Sequence, residues 1–343
     1  MNRQSSADTW RFEIRARETA IRLDLVRDEV VDKLQAQIAA MDEAFRRLGR
    51  IGDLIRLRDW RVRAGLARPK SGQSSVLQRA FVGPPQSDLD EAGGVPEVDM
   101  SSLDHDAVHA ALERHGAVVL RNAIPVRRTL DLRTMFEAAL VASRDLLDLE
   151  AEDLPDIRHT EGKEMFYPVP EKIALPQNAA RAFLGDQNIL ATFLSPRIAF
   201  EWLDILTAQG FRTMLQKLLQ DDLRLVFDRC LIRRMQAQDP SPDWSHGVGV
   251  PGRGLLLWVP MAECGQGTQR PGLDIMLHSQ ARLGDHKSAP ARPFVAAGDA
   301  ILIKNTQIIS KSSDPNFTHE TIAVETCFIG RSRAGLSDLP VFW

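Results

Sequence analysis

Five short apolar runs between residues 223 and 330 constrain this chain more than any other feature. They read LRLVFDRCLIRRM from Leu223, GLLLWVPMAEC from Gly254, LDIML from Leu273, AGDAILIKN from Ala297 and TIAVETCFIG from Thr321. Each is rich in Val, Ile and Leu and bounded by Gly, Pro or Asp, so the first reads as two adjacent strands and each of the others as a strand. No Gly-rich phosphate loop accompanies them, which argues against a doubly wound parallel sheet. The expected core is therefore a β-sandwich or barrel.

Helical patterns precede the strands. Asp104 stands as an N-cap before HDAVHAALERHG, which Gly116 closes, and AVVLR follows as a strand. Further helices are expected over Arg128–Leu149 and Ile198–Gln220, the latter with Phe200, Leu203, Leu206, Phe211, Met214, Leu215 and Leu218 on its apolar face. Such helices suit a layer buttressing one sheet.

The N-terminal part reads differently. Leu23, Val26, Val30, Leu34, Ile38, Met41, Phe45 and Leu48 step by three or four, giving one narrow apolar stripe on a long helix. Two packings satisfy such a stripe: against the main domain of the same chain, or across a homodimer. A second amphipathic piece spans Ile51 to Leu66. Residues 67–98 are rich in Gly, Pro and Ser, with Pro84-Pro85 and Gly93-Gly94 as breakers. The expected division is a helical arm over 1–66, a linker over 67–98 and a core domain over 99–343.

Charge and cysteine content narrow the function classes. With 43 Lys+Arg against 46 Asp+Glu, the net charge is -3, without the basic excess that neutralising phosphates calls for. Nucleic acid is therefore not an expected partner. No apolar run has a membrane-spanning length, and no secretion signal opens the chain. Cys230, Cys264 and Cys327 are widely spaced and odd in number, which suits a reducing, cytoplasmic setting and no Cys-rich zinc site.

The second half resembles the iron/2-oxoglutarate dioxygenases of the phytanoyl-CoA dioxygenase type. The carrying segments, in order, are HAALERHGAVVLRNAIP, LIRRM, DWSHGVG, LLLWVPMAECGQGTQRPGLDIMLHS, AGDAILIKNTQIISKS and PNFTHETIAVETCFIG, spanning about residues 104–330. The resemblance implies a double-stranded β-helix, or jelly roll, of the cupin-like kind, with flanking helices. It also implies iron held by two imidazoles and a carboxylate, and an arginine that grips 2-oxoglutarate.

Those positions are altered here. With Trp244 in register, Ser245 falls on the family's first histidine and Gly247 on its carboxylate. Sliding by one keeps His246 but puts Val248 on the carboxylate. The second histidine falls on Ser310 and the arginine on Thr321. The expected function is therefore a divergent member lacking the usual iron and 2-oxoglutarate, its pocket repurposed for a small metabolite. The alternatives are an active Fe(II)/2-oxoglutarate oxygenase with relocated ligands, or a non-catalytic assembly protein.

The candidate site residues follow from the same segments. His246, Tyr167 (the sole tyrosine, in a lid-like loop) and Arg234 are the catalytic candidates. Lys311 and Arg253 are candidate anion grips, and Trp258 on the central strand is a further cofactor contact. A lysine would act there as a point charge, without the arginine fork. A rebuilt metal site would draw on His246, His319 and Asp274. Arg233 and Arg234 are neighbours on a strand, so their side chains point to opposite faces. The inward one needs a carboxylate, from the protein or from a ligand.

Overall fold

A computed structural model describes residues 28–48, 51–66, 91–92, 94–147, 188–237, 245–246, 254–277, 290–330 and 340–343. Its centre is a nine-stranded sheet. Eight strands run in the order β1 (Glu91–Ala92), β2 (Val95–Asp99), β3 (Ala117–Arg121), β11 (Ala300–Lys304), β7 (Gly254–Pro260), β13 (Thr321–Gly330), β5 (Leu223–Met235) and β14 (Pro340–Phe342). The ninth, β4 (Ile189–Ala191), also pairs with β5. A smaller sheet runs β6 (Ser245–His246), β12 (Ile308–Lys311), β9 (Leu273–Met276), and Ala291 bridges to Ile275 at its edge. A third, two-stranded pairing joins β8 (Cys264–Gly265) to β10 (Phe294–Val295).

From β5 onward the chain alternates between the two larger sheets. β5, β7, β11 and β13 lie in the large one, while β6, β9, Ala291 and β12 lie in the small one. That alternation defines the double-stranded β-helix, and all its strand pairs are antiparallel. The fold expected from the sequence is the fold observed.

Six helices are described: α1 (Asp28–Leu48), α2 (Ile51–Leu66), α3 (His105–His115), α4 (Val126–Leu147), α5 (Pro196–Ala208) and α6 (Phe211–Leu219). The caps explain their limits. Asp104 accepts hydrogen bonds from the amides of Asp106 and Ala107, and Gly116 closes α3 at φ +80°. Ser195 caps α5, with Pro196 in the first turn. The single helix expected over Ile198–Gln220 is two, because Gly210 adopts φ +75° between them. The run from Leu223 is likewise one strand of 13 residues rather than two, its pairing to β13 shifted between Thr326 and Phe328.

Two cores result, one on each side of the large sheet. On one side Phe136, Trp202, Phe211, Leu215, Phe227, Val324 and Phe328 pack sheet against helices. On the other, Trp258, Ile301, Ile303, Ile275, Ile309, Ala323 and Cys327 pack the two sheets together. Buried on both faces, the central strands read as continuous apolar runs. Trp202 ties the helices to the sheet: its Nε1 donates to Thr326 Oγ1 at 2.8 Å.

The arm and the segment after it meet the core directly. Leu34 and Ile38 of the apolar stripe pack with Leu57 and Ala64 of α2, and with Phe200 and Phe342 of the main body. Phe45 stands edge-on to Phe200 at 4.6 Å between centroids, and Arg46 reaches Asp204 at 2.6 Å. Glu91–Ala92 and Val95–Asp99 extend the large sheet.

Candidate functional site

The inner wall of the jelly roll at its mouth, where β13 begins and β5 ends, is where the fold brings candidate residues together. Side chains directly opposite one another in an antiparallel pair share a face. On β13 the inward row runs Thr321, Ala323, Glu325, Cys327; Ala323 and Cys327 are in the inter-sheet core, while Ile322 and Val324 face the helices. Ala323 pairs with Arg233 and Ile322 with Arg234. Arg233 is therefore the inward arginine, and Arg234 lies on the helix-facing side.

The expectation that the inward arginine meets a carboxylate holds for Arg233, and the carboxylate is the protein's own. Arg233 Nε and Nη2 donate to the two oxygens of Glu325 at 2.8 and 3.1 Å. This is the forked geometry that makes arginine–carboxylate pairs strong and directional. Arg234, the catalytic candidate, is a mostly buried side chain whose Nε lies 3.3 Å from Glu320 Oε1.

Trp258, on β7, sits beside the fork, opposite Glu325 on β13 and opposite Ile301 on β11. It is fully buried, and its Nε1 has no hydrogen-bond partner among the described residues. A buried donor left unpaired costs about 1–3 kcal/mol, so an acceptor for this N–H is chemically called for.

Lys311 is on the inner face of the small sheet. It pairs with Leu273, flanked by inward Ile309. Its ammonium donates to the Gln236 carbonyl just past the end of β5, spanning the gap between the sheets. Ser310 faces the other way, opposite Asp274. Thr321, at the position where the resemblance calls for an arginine, is buried and its hydroxyl donates to the Pro271 carbonyl at 2.7 Å.

Two of the other metal candidates, Asp274 and His319, lie apart from this wall. Asp274 is buried in a fork with Arg292, at 2.6 and 2.9 Å, which Asp314 shares at 3.3 Å. These contacts raise Arg292 above the usual guanidinium value, with the Asp274 hydrogen bond the largest cause. His319 is exposed in the loop before β13, its amide bonded to the Gln269 carbonyl. His246 belongs to β6, paired through its backbone with Ile308. Tyr167 and Arg253 lie outside the described residues.

An iron site of the two-imidazole, one-carboxylate kind needs donors that the described part of this wall does not bring together. Among the described residues, the inner faces of β7, β9, β12, β13 and the end of β5 present no imidazole. They present one carboxylate, Glu325, already held by two guanidinium hydrogen bonds. Nor do any three His, Cys, Asp or Glu side chains cluster as metal ligands among the described residues.

No family model and no curated protein matches the chain. Solved structures do resemble it. SnoN, a non-heme α-ketoglutarate-dependent epimerase from nogalamycin biosynthesis, is 12% identical with a TM-score of 0.39, over 66% of this chain and 83% of its own. AviO1 from Streptomyces viridochromogenes Tue57 is 11% identical with a TM-score of 0.41, over 68% and 98%. EvdO2 from Micromonospora carbonacea var. aurantiaca, solved with 2-oxoglutarate, is 15% identical with a TM-score of 0.42, over 67% and 91%.

Proposed function

We propose that this protein is a divergent relative of the phytanoyl-CoA-type dioxygenases whose inner cavity holds a small organic molecule without the usual iron and 2-oxoglutarate. The observation that carries the reading is the Arg233–Glu325 fork beside Trp258. A metal ion at Glu325 would have to displace a partly buried, bidentate guanidinium, at the cost of a strong directional pair. 2-Oxoglutarate would need a forked cation near Thr321, whose hydroxyl is instead bonded to Pro271. The unpaired Trp258 Nε1 remains as a donor for a ligand oxygen or nitrogen.

Metal analysis of untagged protein purified without chelator tests the first half, together with an assay of 2-oxoglutarate consumption. The expected result is far less than one iron per chain and no turnover. Stoichiometric iron, with 2-oxoglutarate consumption lost in His246→Ala, would overturn the reading in favour of an active oxygenase. Native mass spectrometry tests the second half. A co-purifying small molecule should be retained by the wild type and depleted in Trp258→Phe. Equal retention by both proteins would remove Trp258 from the site.

A further inference from the structure

A groove of about 500 Å3 lies on the outside of the molecule, between the first turn of α3 and the last turn of α6. Leu103 and Leu218 supply apolar lining, and the polar lining is Asp104, His105, Asp106, His109, Lys217 and Gln220. Its size is that of an ordinary small-ligand cleft. It is unrelated to the jelly-roll interior.

The chemistry of the groove selects a cation over an anion. A helix start commonly attracts anions through its free amides, but here the Asp104 carboxylate already takes the amides of Asp106 and Ala107, at 2.9 and 3.2 Å. Two carboxylates face one ammonium, so with neutral imidazoles the groove carries net negative charge.

Two imidazoles decide which cation. His105 and His109 are one helical turn apart, so they stand on the same face of α3, and both line the groove. Imidazole nitrogens suit Zn2+, Ni2+ and Cu2+, whereas Mg2+ and Ca2+ take oxygen ligands. His105 Nδ1 is buried with no hydrogen-bond partner among the described residues. Across the groove, Gln220 holds the left-handed backbone conformation at φ 54°, uncommon for a residue other than glycine, Asn or Asp. That conformation closes α6 as its C-cap and sets the far wall of the groove.

We propose that His105 and His109 chelate a divalent transition-metal ion in this groove, with water completing the coordination and the nearby carboxylates supplying outer-sphere charge. With two protein ligands the ion is exchangeable, in keeping with the absence of a three-ligand cluster among the described residues. The acidic rim offsets the charge of the bound ion.

Calorimetric titration of untagged, chelator-stripped full-length protein with Ni2+ or Zn2+ tests the proposal. One saturable equivalent is expected, weakened at least tenfold in His105→Ala and in His109→Ala and lost in the double variant. Alanine is a strong helix former, so these variants retain α3, which circular dichroism checks. Absence of saturable binding in the wild type, or wild-type binding by the folded double variant, would overturn the proposal.

Discussion

Arg233 and Glu325 meet diagonally across β5 and β13 with both ends of the fork closed, at 2.8 and 3.1 Å, on the sheet face that lines the jelly-roll interior. Their side chains are 33% and 17% exposed, so the pair is neither a solvated surface bridge nor a dry one. Glu325→Gln should therefore destabilise the protein by about 1–2 kcal/mol, between the values for surface and buried pairs. Arg233→Met combined with Glu325→Leu should recover most of that loss. Urea unfolding of the wild type and the two variants measures both, and a double variant no more stable than Glu325→Gln would show that the fork is not the source of the cost.

The two fully buried tryptophans should respond differently to loss of the indole. Trp202 and Trp258 are 1% and 0% exposed, but only Trp202 has a partner for its N–H, Thr326 Oγ1. Trp202→Phe removes volume and strands the threonine hydroxyl, whereas Trp258→Phe removes volume together with an unpaired donor. The first should cost more than the second by about 1–2 kcal/mol. Paired denaturation curves of the ligand-free proteins give the comparison.

Two glycines in the loop after β7 separate backbone strain from collision. Gly265 and Gly267 both have positive φ, +89° and +76°. A Cβ at Gly267 meets nothing, while one at Gly265 runs into the Pro293 carbonyl oxygen across the β8–β10 pair. Gly267→Ala should cost about 1–2 kcal/mol, the usual penalty for a side chain in the left-handed region. Gly265→Ala should cost clearly more and disturb the β8–β10 pairing. Equal midpoints in thermal unfolding would refute the distinction.

The thiols should be silent until the protein unfolds. Cys230, Cys264 and Cys327 are buried and form no disulfide, and burial pushes the Cys264 thiol well above its ordinary range. Since the thiolate is the reactive form, native protein should show no fast-reacting thiol to a disulfide reagent at pH 8. In denaturant all three of the chain's cysteines should react. A fast thiol in the native state would show that one of these pockets opens.

Much of the jelly roll was legible because its central strands, buried on both faces, become unbroken apolar runs with turn residues at each end. The helix boundaries at Asp104 and Gly116 were legible for a similar reason, since capping chemistry is local. The division at Gly210 was not, because the apolar face of Ile198–Gln220 continues across the break. For the site, strand alternation gave the prediction that one of Arg233 and Arg234 points inward and meets a carboxylate. It could not say which, because apolar Ile232 and Met235 flank the pair, one packed on each side of the sheet. Glu325 as the partner depends on the β5–β13 register, set by residues far apart in sequence. The His105–His109 spacing was present in the sequence, but only the groove against α6 gives it a setting.

The placement of β13 also governs how the chain can be made. This strand joins β7 to β5 in the large sheet, yet it lies after both in sequence, with β5 about a hundred residues upstream. Until Thr321–Gly330 leaves the ribosome, β5 and β7 each expose an apolar, unpaired edge that only this strand can close. Folding of the sheet is thus a late, long-range event, the kind that proceeds slowly and leaves nascent chains vulnerable to edge-to-edge association. A chain stopped before residue 321 should therefore depend on chaperones to stay in solution.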